Sequence, residues 1–190
     1  KAEVEVIQSL GVEIICNTKV GKDISMEELQ KNYQAIIIAV GAKKSRGLPI
    51  PGVNAHGVLG GVDFLRAVAL GEEIKMGQKV VVIGGGNVAY DVARTVVRQE
   101  GYDVSRTALR QPNVREVHLC CLESLDEMPA DTVEIKEGQE EGVFRHNSMG
   151  PQEILITEKN HVRGVLFRKV LSVYDENKRF SPKYDDTDLT

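Results

Sequence analysis

VVVIGGGNVAYDVART, residues 80–95, decides the reading of this chain. Lys79–Ile83 is a run of β-branched residues too short for a helix, and it reads as a buried parallel strand. From Tyr90 to Arg98 the apolar residues recur at helical spacing. Between strand and helix stand three glycines. Gly84, Gly86 and Ala89 fit the spacing G-x-G-x-x-[GA]. The first glycine permits the tight turn, and the second lets a diphosphate approach bare backbone. The small third residue lets helix and strand pack closely. The helix start adds free N–H groups and a partial positive charge, which suit an anion. The competing reading is a plain tight turn, and the strand-glycine-helix context favours dinucleotide binding over it.

A second core strand, Glu116 to Leu122, ends at Glu123. A carboxylate at that tip can accept hydrogen bonds from the ribose hydroxyls of NAD and would repel the extra phosphate of NADP. The plainer alternative is a solvated residue at a strand end. The interval from Gly86 to Glu123 is nearly double the usual ~20 residues. The excess reads as a surface excursion over 101–115, and it holds Arg106, Arg110 and Arg115. One of these could meet a 2′-phosphate, so NADP stays open.

Elsewhere the chain alternates helical and strand-like patterns. Lys1 to Leu10 reads as the end of a helix stopped by Gly11. Val12–Cys16 reads as a short strand. Ser25 and Glu28 form a capping box for a helix over Met26–Tyr33. Ala35–Val40, AIIIAV, reads as another buried parallel strand. The stretch AKKSRGLPIPGVNAHG is irregular and linker-like, and Val62–Leu70 is a short helix closed by Gly71. After Gly142 the sequence reads as strands joined by turns, with GVFRH the first strand of an antiparallel meander. The acidic run Asp185-Asp186-Thr187-Asp188 reads as a solvated turn, not a metal site. Met128-Pro129 suits equally a cofactor contact or the loop that opens a helix.

The 190 residues are 42% hydrophobic, enough for a real core, and the formal net charge is −4. No basic face points to nucleic acid, and no apolar run approaches the ~20 residues of a membrane span. Cys16, Cys120 and Cys121 form no CxxC and read as small buried residues in a reducing cytoplasm. The four histidines are scattered without metal-ligand spacing. No nucleophile or catalytic dyad emerges. Residue 1 is Lys, and no signal peptide is visible, so the expectation is a piece of a longer protein.

VVVIGGGNVAYDVART, then CLESLDEMPA, then EEGVF, resembles the pyridine-nucleotide domain of the glutamate synthase small (β) subunit family. Its relatives include the flavin region of dihydropyrimidine dehydrogenase. IQSLGVEIICNTKVGKDISMEEL and YQAIIIAVGAKKSRGLPIPG resemble the part of a split FAD domain that precedes the inserted nucleotide domain. The resemblance implies an α/β fold: a Rossmann-like nucleotide-binding domain with an antiparallel β-meander, plus a fragment of the FAD domain. The expected boundaries are 1–55 for the flavin-side fragment and linker, and 56–190 for the nucleotide domain.

The resemblance further implies hydride transfer from NAD(P)H to FAD, with electrons passing on to an iron–sulfur domain or subunit; the flavin does the chemistry. Gly84, Gly85, Gly86, Asn87 and Val88 would line the NAD(P) diphosphate, and Ala89 would be the packing position. Glu123, at the strand tip, and Ser124 join the cofactor-binding candidates. Val40, Gly41 and Ala42 would end a strand beside the FAD. The family often carries an arginine pair before its EMPA-like stretch. Here Leu122 and Glu123 stand at those positions, which supports NADH over NADPH. The rest of the FAD domain, with its own glycine motif, would be a partner outside these residues, so this piece alone should not turn over. A stand-alone dehydrogenase would need a proton-handling pair, and Tyr90 has no lysine at the right distance. A non-catalytic NAD(H) sensor would have no use for Ala35–Gly52.

Overall fold

The computed structural model describes residues 2–103 and 114–190, with side chains described to Arg98 and again from Val114. The chain divides into two compact units, Lys1–Ala42 and Lys43–Thr190.

The first unit has two short helices, α1 (Ala2–Ser9) and α2 (Met26–Asn32). The left-handed turn after α1 falls at Gly11, φ +88°, where a residue without a Cβ costs least. Ser25 caps α2, its hydroxyl accepting from the Glu28 N–H at 3.1 Å. Two sequence expectations fail in this unit. Neither Val12–Cys16 nor Ala35–Val40 forms a strand, and Ile37 and Ile38 are 90% and 72% exposed. A strand needs a paired edge and a covered face, and residues 2–42 supply two short helices that bury no residue. Cys16, expected in a core, is exposed for the same reason.

The second unit is built on a parallel three-stranded sheet, β1 (Lys79–Ile83), β2 (Glu116–Cys120) and β3 (Phe144–His146), in that order. Lys79 pairs with Glu116, and Cys120 pairs with both Ile83 and His146. Helices α3 (Gly61–Ala69), α4 (Asn87–Asp103) and α5 (Thr132–Glu140) complete the layer. The core joins Phe64 of α3 and Tyr90, Ala93 and Val96 of α4 to Val82, Val117 and Leu119 of the sheet. The period of two decides which strand residues reach it. Val82 is buried, whereas Val81 of the opposite face is 40% exposed. Among the described residues β1 is therefore covered on one face, not on both as its composition suggested.

GVFRH is corrected here. It forms the third parallel strand, not the first strand of the meander, because α5 intervenes and returns the chain to the same edge. The meander is the antiparallel sheet β4 (Met149–Ile156), β5 (Val162–Tyr174) and β6 (Phe180–Leu189). Its hairpin turns carry Asn160 and Lys178 in left-handed conformation. The acidic run is also corrected: it lies within β6. Asp185 pairs in register with Lys169, and Asp186 ion-pairs with Arg168 at 3.1 Å.

The irregular stretch after Lys43 packs on this second unit. Ile154 donates its N–H to the Pro51 carbonyl at 3.0 Å, and Gly52, φ +83°, leaves no room for a Cβ against the Ile154 carbonyl. No helix among the described residues is long and apolar enough to cross a membrane.

Candidate functional site

The glycines sit at the C-terminal edge of the parallel sheet. The Gly84 N–H donates to the Cys120 carbonyl at 2.9 Å, which ties the end of β1 to the end of β2. Gly84 has φ +147°, and a Cβ there would lie 3.2 Å from the Ala89 Cβ. Both positions must be small for α4 to start this close to β1. Ala89 is buried, as its packing role demands.

Gly85 has a different reason to be bare. A Cβ on it would fall 2.5 Å from Glu123 Oε2 and 3.2 Å from the Cys121 Cβ. The Glu123 carboxylate therefore lies directly on the glycine turn. The Glu123 carbonyl accepts from Asn147 Nδ2 at 3.0 Å, from the Ser148 N–H at 3.1 Å and, more weakly, from Cys121 Sγ at 3.5 Å. Gly86 is more open: the nearest atom to a Cβ there would be Pro129 Cγ, at 4.0 Å. Met128-Pro129 thus belongs to a loop that borders the glycines and leads into α5.

At the start of α4 the backbone N–H groups of Gly86, Asn87 and Val88 donate to no protein acceptor among the described residues. A 17-residue helix with a free first turn is a ready site for an anion. Val88 is half exposed beside it. The Asn87 side chain meets the N-cap residue of α5. Its Oδ1 accepts from the Asp131 N–H at 2.8 Å, and its Nδ2 donates to Asp131 Oδ2 at 2.9 Å.

Ser124 is occupied locally: its hydroxyl donates to Glu127 Oε2 at 2.6 Å, closing a capping box on the turn Leu125–Glu127.

Behind the site α4 and α5 are locked by charge. Buried Arg94 pairs with Glu134 at 2.5 Å, with Glu137, and with Glu141 at 2.9 Å. Arg98 adds a bond to Glu141 at 2.6 Å. The bond to Glu141 is the first cause that pushes the Arg94 guanidinium further above its usual range. In return the Arg94 bond holds the Glu141 carboxyl below the usual 4.5. Burial pushes the Cys120 and Cys121 thiols up to about 11, so they are poor nucleophiles at neutral pH. On the open sheet face His118 Nδ1 and His146 Nε2 stand 2.9 Å apart, with Glu116 on the far His118 nitrogen at 3.1 Å. Burial, then the His118 charge, lowers His146 from the usual 6.5. Among the described residues no group of three or more ligating side chains could hold a metal ion.

Gly84, Gly85, Gly86, Asn87, Val88 and Ala89 thus form one turn with Glu123 resting on it, whereas Ser124 is bound to Glu127 and makes no contact with the glycines that these distances show. Val40, Gly41 and Ala42 belong to the first unit, where all three are exposed. Arg106 and Arg110 lie outside the described residues, and Arg115 is exposed at the start of β2. Sequence reasoning missed Asp131, Asn147 and Arg94. Only Arg94 left a trace: three glutamates at helical spacing downstream, Glu134, Glu137 and Glu141, need a common cation.

A family model described as pyridine nucleotide-disulphide oxidoreductase matches residues 2–119. The NADPH-Fe(3+) oxidoreductase subunit beta of Geobacter sulfurreducens is 38% identical over 185 residues, covering 95% of this chain and 26% of the relative. The glutamate synthase [NADPH] small chain of Escherichia coli is 31% identical over 174 residues, covering 85% of this chain and 34% of the relative. The chain spans only about a quarter to a third of these curated relatives. In fold it is similar to FprA from Mycobacterium tuberculosis in complex with NADPH. That match has a TM-score of 0.74 at 22% identity, over 92% of this chain and 51% of that one.

Proposed function

Because the chain belongs to the pyridine nucleotide-disulphide oxidoreductase family, we propose that it is the nucleotide-binding part of a flavoprotein oxidoreductase. The whole protein would take hydride from a reduced pyridine nucleotide, pass it to FAD, and send electrons on to iron–sulfur centres in a neighbouring domain or subunit. The observation that carries this reading is the free first turn of α4 behind a glycine turn on which the Glu123 carboxylate rests. The turn offers N–H donors to a diphosphate, and a carboxylate beside it can accept from ribose hydroxyls. This chain's own residues bind and orient the nucleotide. The relatives' names, NADPH-Fe(3+) oxidoreductase and glutamate synthase [NADPH], support the electron-transfer class.

We further propose that NADH is preferred to NADPH. The Glu123 carboxylate, an anion on the ribose-reading side, repels a 2′-phosphate. Val40, Gly41 and Ala42 are assigned to the flavin side. What supports this is the uncovered apolar run Ile36–Val40 leading into them. Residues 2–42 contain no glycine turn opening a helix, so the assignment is an apolar edge beside the flavin, with no step of the chemistry routed through it.

Calorimetric titration with NADH and with NADPH at low salt tests the reading. Tighter NADH binding, shifted towards NADPH by Glu123→Arg, is the expected result. Tighter NADPH binding by the wild type would overturn the preference and keep the function. Failure of both nucleotides to bind would overturn the function.

A further inference from the structure

Asp131 is the N-cap residue of α5, yet its side chain caps nothing on its own helix. An Asp at that position ordinarily accepts from a first-turn N–H of its own helix. Here the carboxylate turns to Asn87, 44 residues away in sequence and the first residue of α4 after the glycines. The bond is reciprocal, because Asn87 Oδ1 accepts from the Asp131 N–H. That reciprocity fixes which way the amide faces. Oδ1 must meet a backbone donor and Nδ2 must meet a carboxylate, so the amide cannot flip. The second Nδ2 hydrogen has no acceptor among the described residues, and the amide belongs to the residue that opens α4, whose first N–H groups are likewise without one. Pro129, two residues before Asp131, is the nearest neighbour of the open side of Gly86. The arginine-glutamate ties between α4 and α5 stop the two helices sliding apart behind it.

We infer that Asp131 is a positioning residue of the nucleotide site: it holds the Asn87 amide and the Met128–Ala130 loop in place around the diphosphate. The inference rests on the nucleotide reading above. The group it serves is the diphosphate shared by NADH, NADPH and ADP, so it is independent of the choice between the two coenzymes.

The test is a titration of the full chain with ADP and with NADH by calorimetry, with the thermal midpoint of each variant measured alongside. Asp131→Ser gives α5 a residue well suited to its N-cap but withdraws the carboxylate that Asn87 Nδ2 meets. It should weaken both ligands about tenfold, the worth of one hydrogen bond to a charged group. Asn87→Ala should weaken them similarly, and the double variant should lose little more than either single one. Asp131→Asn still offers an acceptor to Asn87 and should restore affinity. Unchanged ADP binding in Asp131→Ser would overturn the inference. So would additive losses in the double variant, or a loss that Asp131→Asn does not repair, because either result describes a merely structural residue. A wild-type chain that binds neither ADP nor NADH would overturn the nucleotide reading itself, and the positioning role with it.

Discussion

At Gly85 a single methyl group would collide with the carboxylate that the ribose reading depends on. Gly85→Ala must push Glu123 aside, and overpacking of this kind costs about 1–3 kcal/mol. The expected outcome is a lower urea midpoint together with weaker NADH binding. Glu123→Ala in that background should recover part of the stability but none of the binding. If it recovers no stability, the pressure comes from the Cys121 Cβ instead. The cysteines give a second prediction. Cys120 and Cys121 are buried and raised to about 11, whereas Cys16 is exposed. Iodoacetamide at pH 7.5 should label Cys16 well before the other two, as read by peptide mass spectrometry. Rapid labelling of Cys121 would mean that the tip of β2 opens readily. At this scale the sequence was legible where chemistry is local: the glycine spacing, and a carboxylate ending a strand. It was not legible at Asp131 or Asn147, whose partners lie 44 and 24 residues away. Nothing beside Asp131 in the chain says that its side chain will face another helix and leave its own uncapped.

The pair α4 and α5 is the element on which acid should act. The bond from Arg94 depresses the Glu141 carboxyl in the folded state. The stability it contributes is therefore present above the ordinary value near 4.5 and is lost as pH falls through the lower folded value. Urea midpoints measured downward from pH 6 should fall below about pH 4.5. Arg94→Met should be less stable at neutral pH and less sensitive to acid. An unchanged acid slope in that variant would place the acid sensitivity elsewhere. Element by element, β1 was readable because a β-branched run meets a glycine turn, and α2 because Ser25 is a good cap. GVFRH was assigned to the wrong sheet because its composition matches the meander strands. Which sheet a strand joins depends on the helix before it, and α5 stood in the sequence only as one of two equal readings of Met128-Pro129. AIIIAV misled in the opposite sense: an apolar run specifies a demand for burial, and residues 2–42 contain nothing that meets it.

Over the whole molecule the two units should differ in protection. Helices α1 and α2 bury no residue, and isolated helices of 8 and 7 residues are marginal in water. Amide exchange followed by mass spectrometry should be fast throughout 2–42 and slow in β1, β2 and the first half of α4. Strong protection of 35–40 would mean that the apolar run is covered in solution. The site itself depends on contacts far apart in the chain. The carbonyl of Glu123 is gripped by Asn147 and Ser148, which come far later in the chain. During synthesis the glycine turn therefore emerges long before the groups that finish it. A ribosome-bound chain that has passed Gly86 but not Ser148 carries half a cradle, so the nucleotide can act as a folding ligand only late in translation.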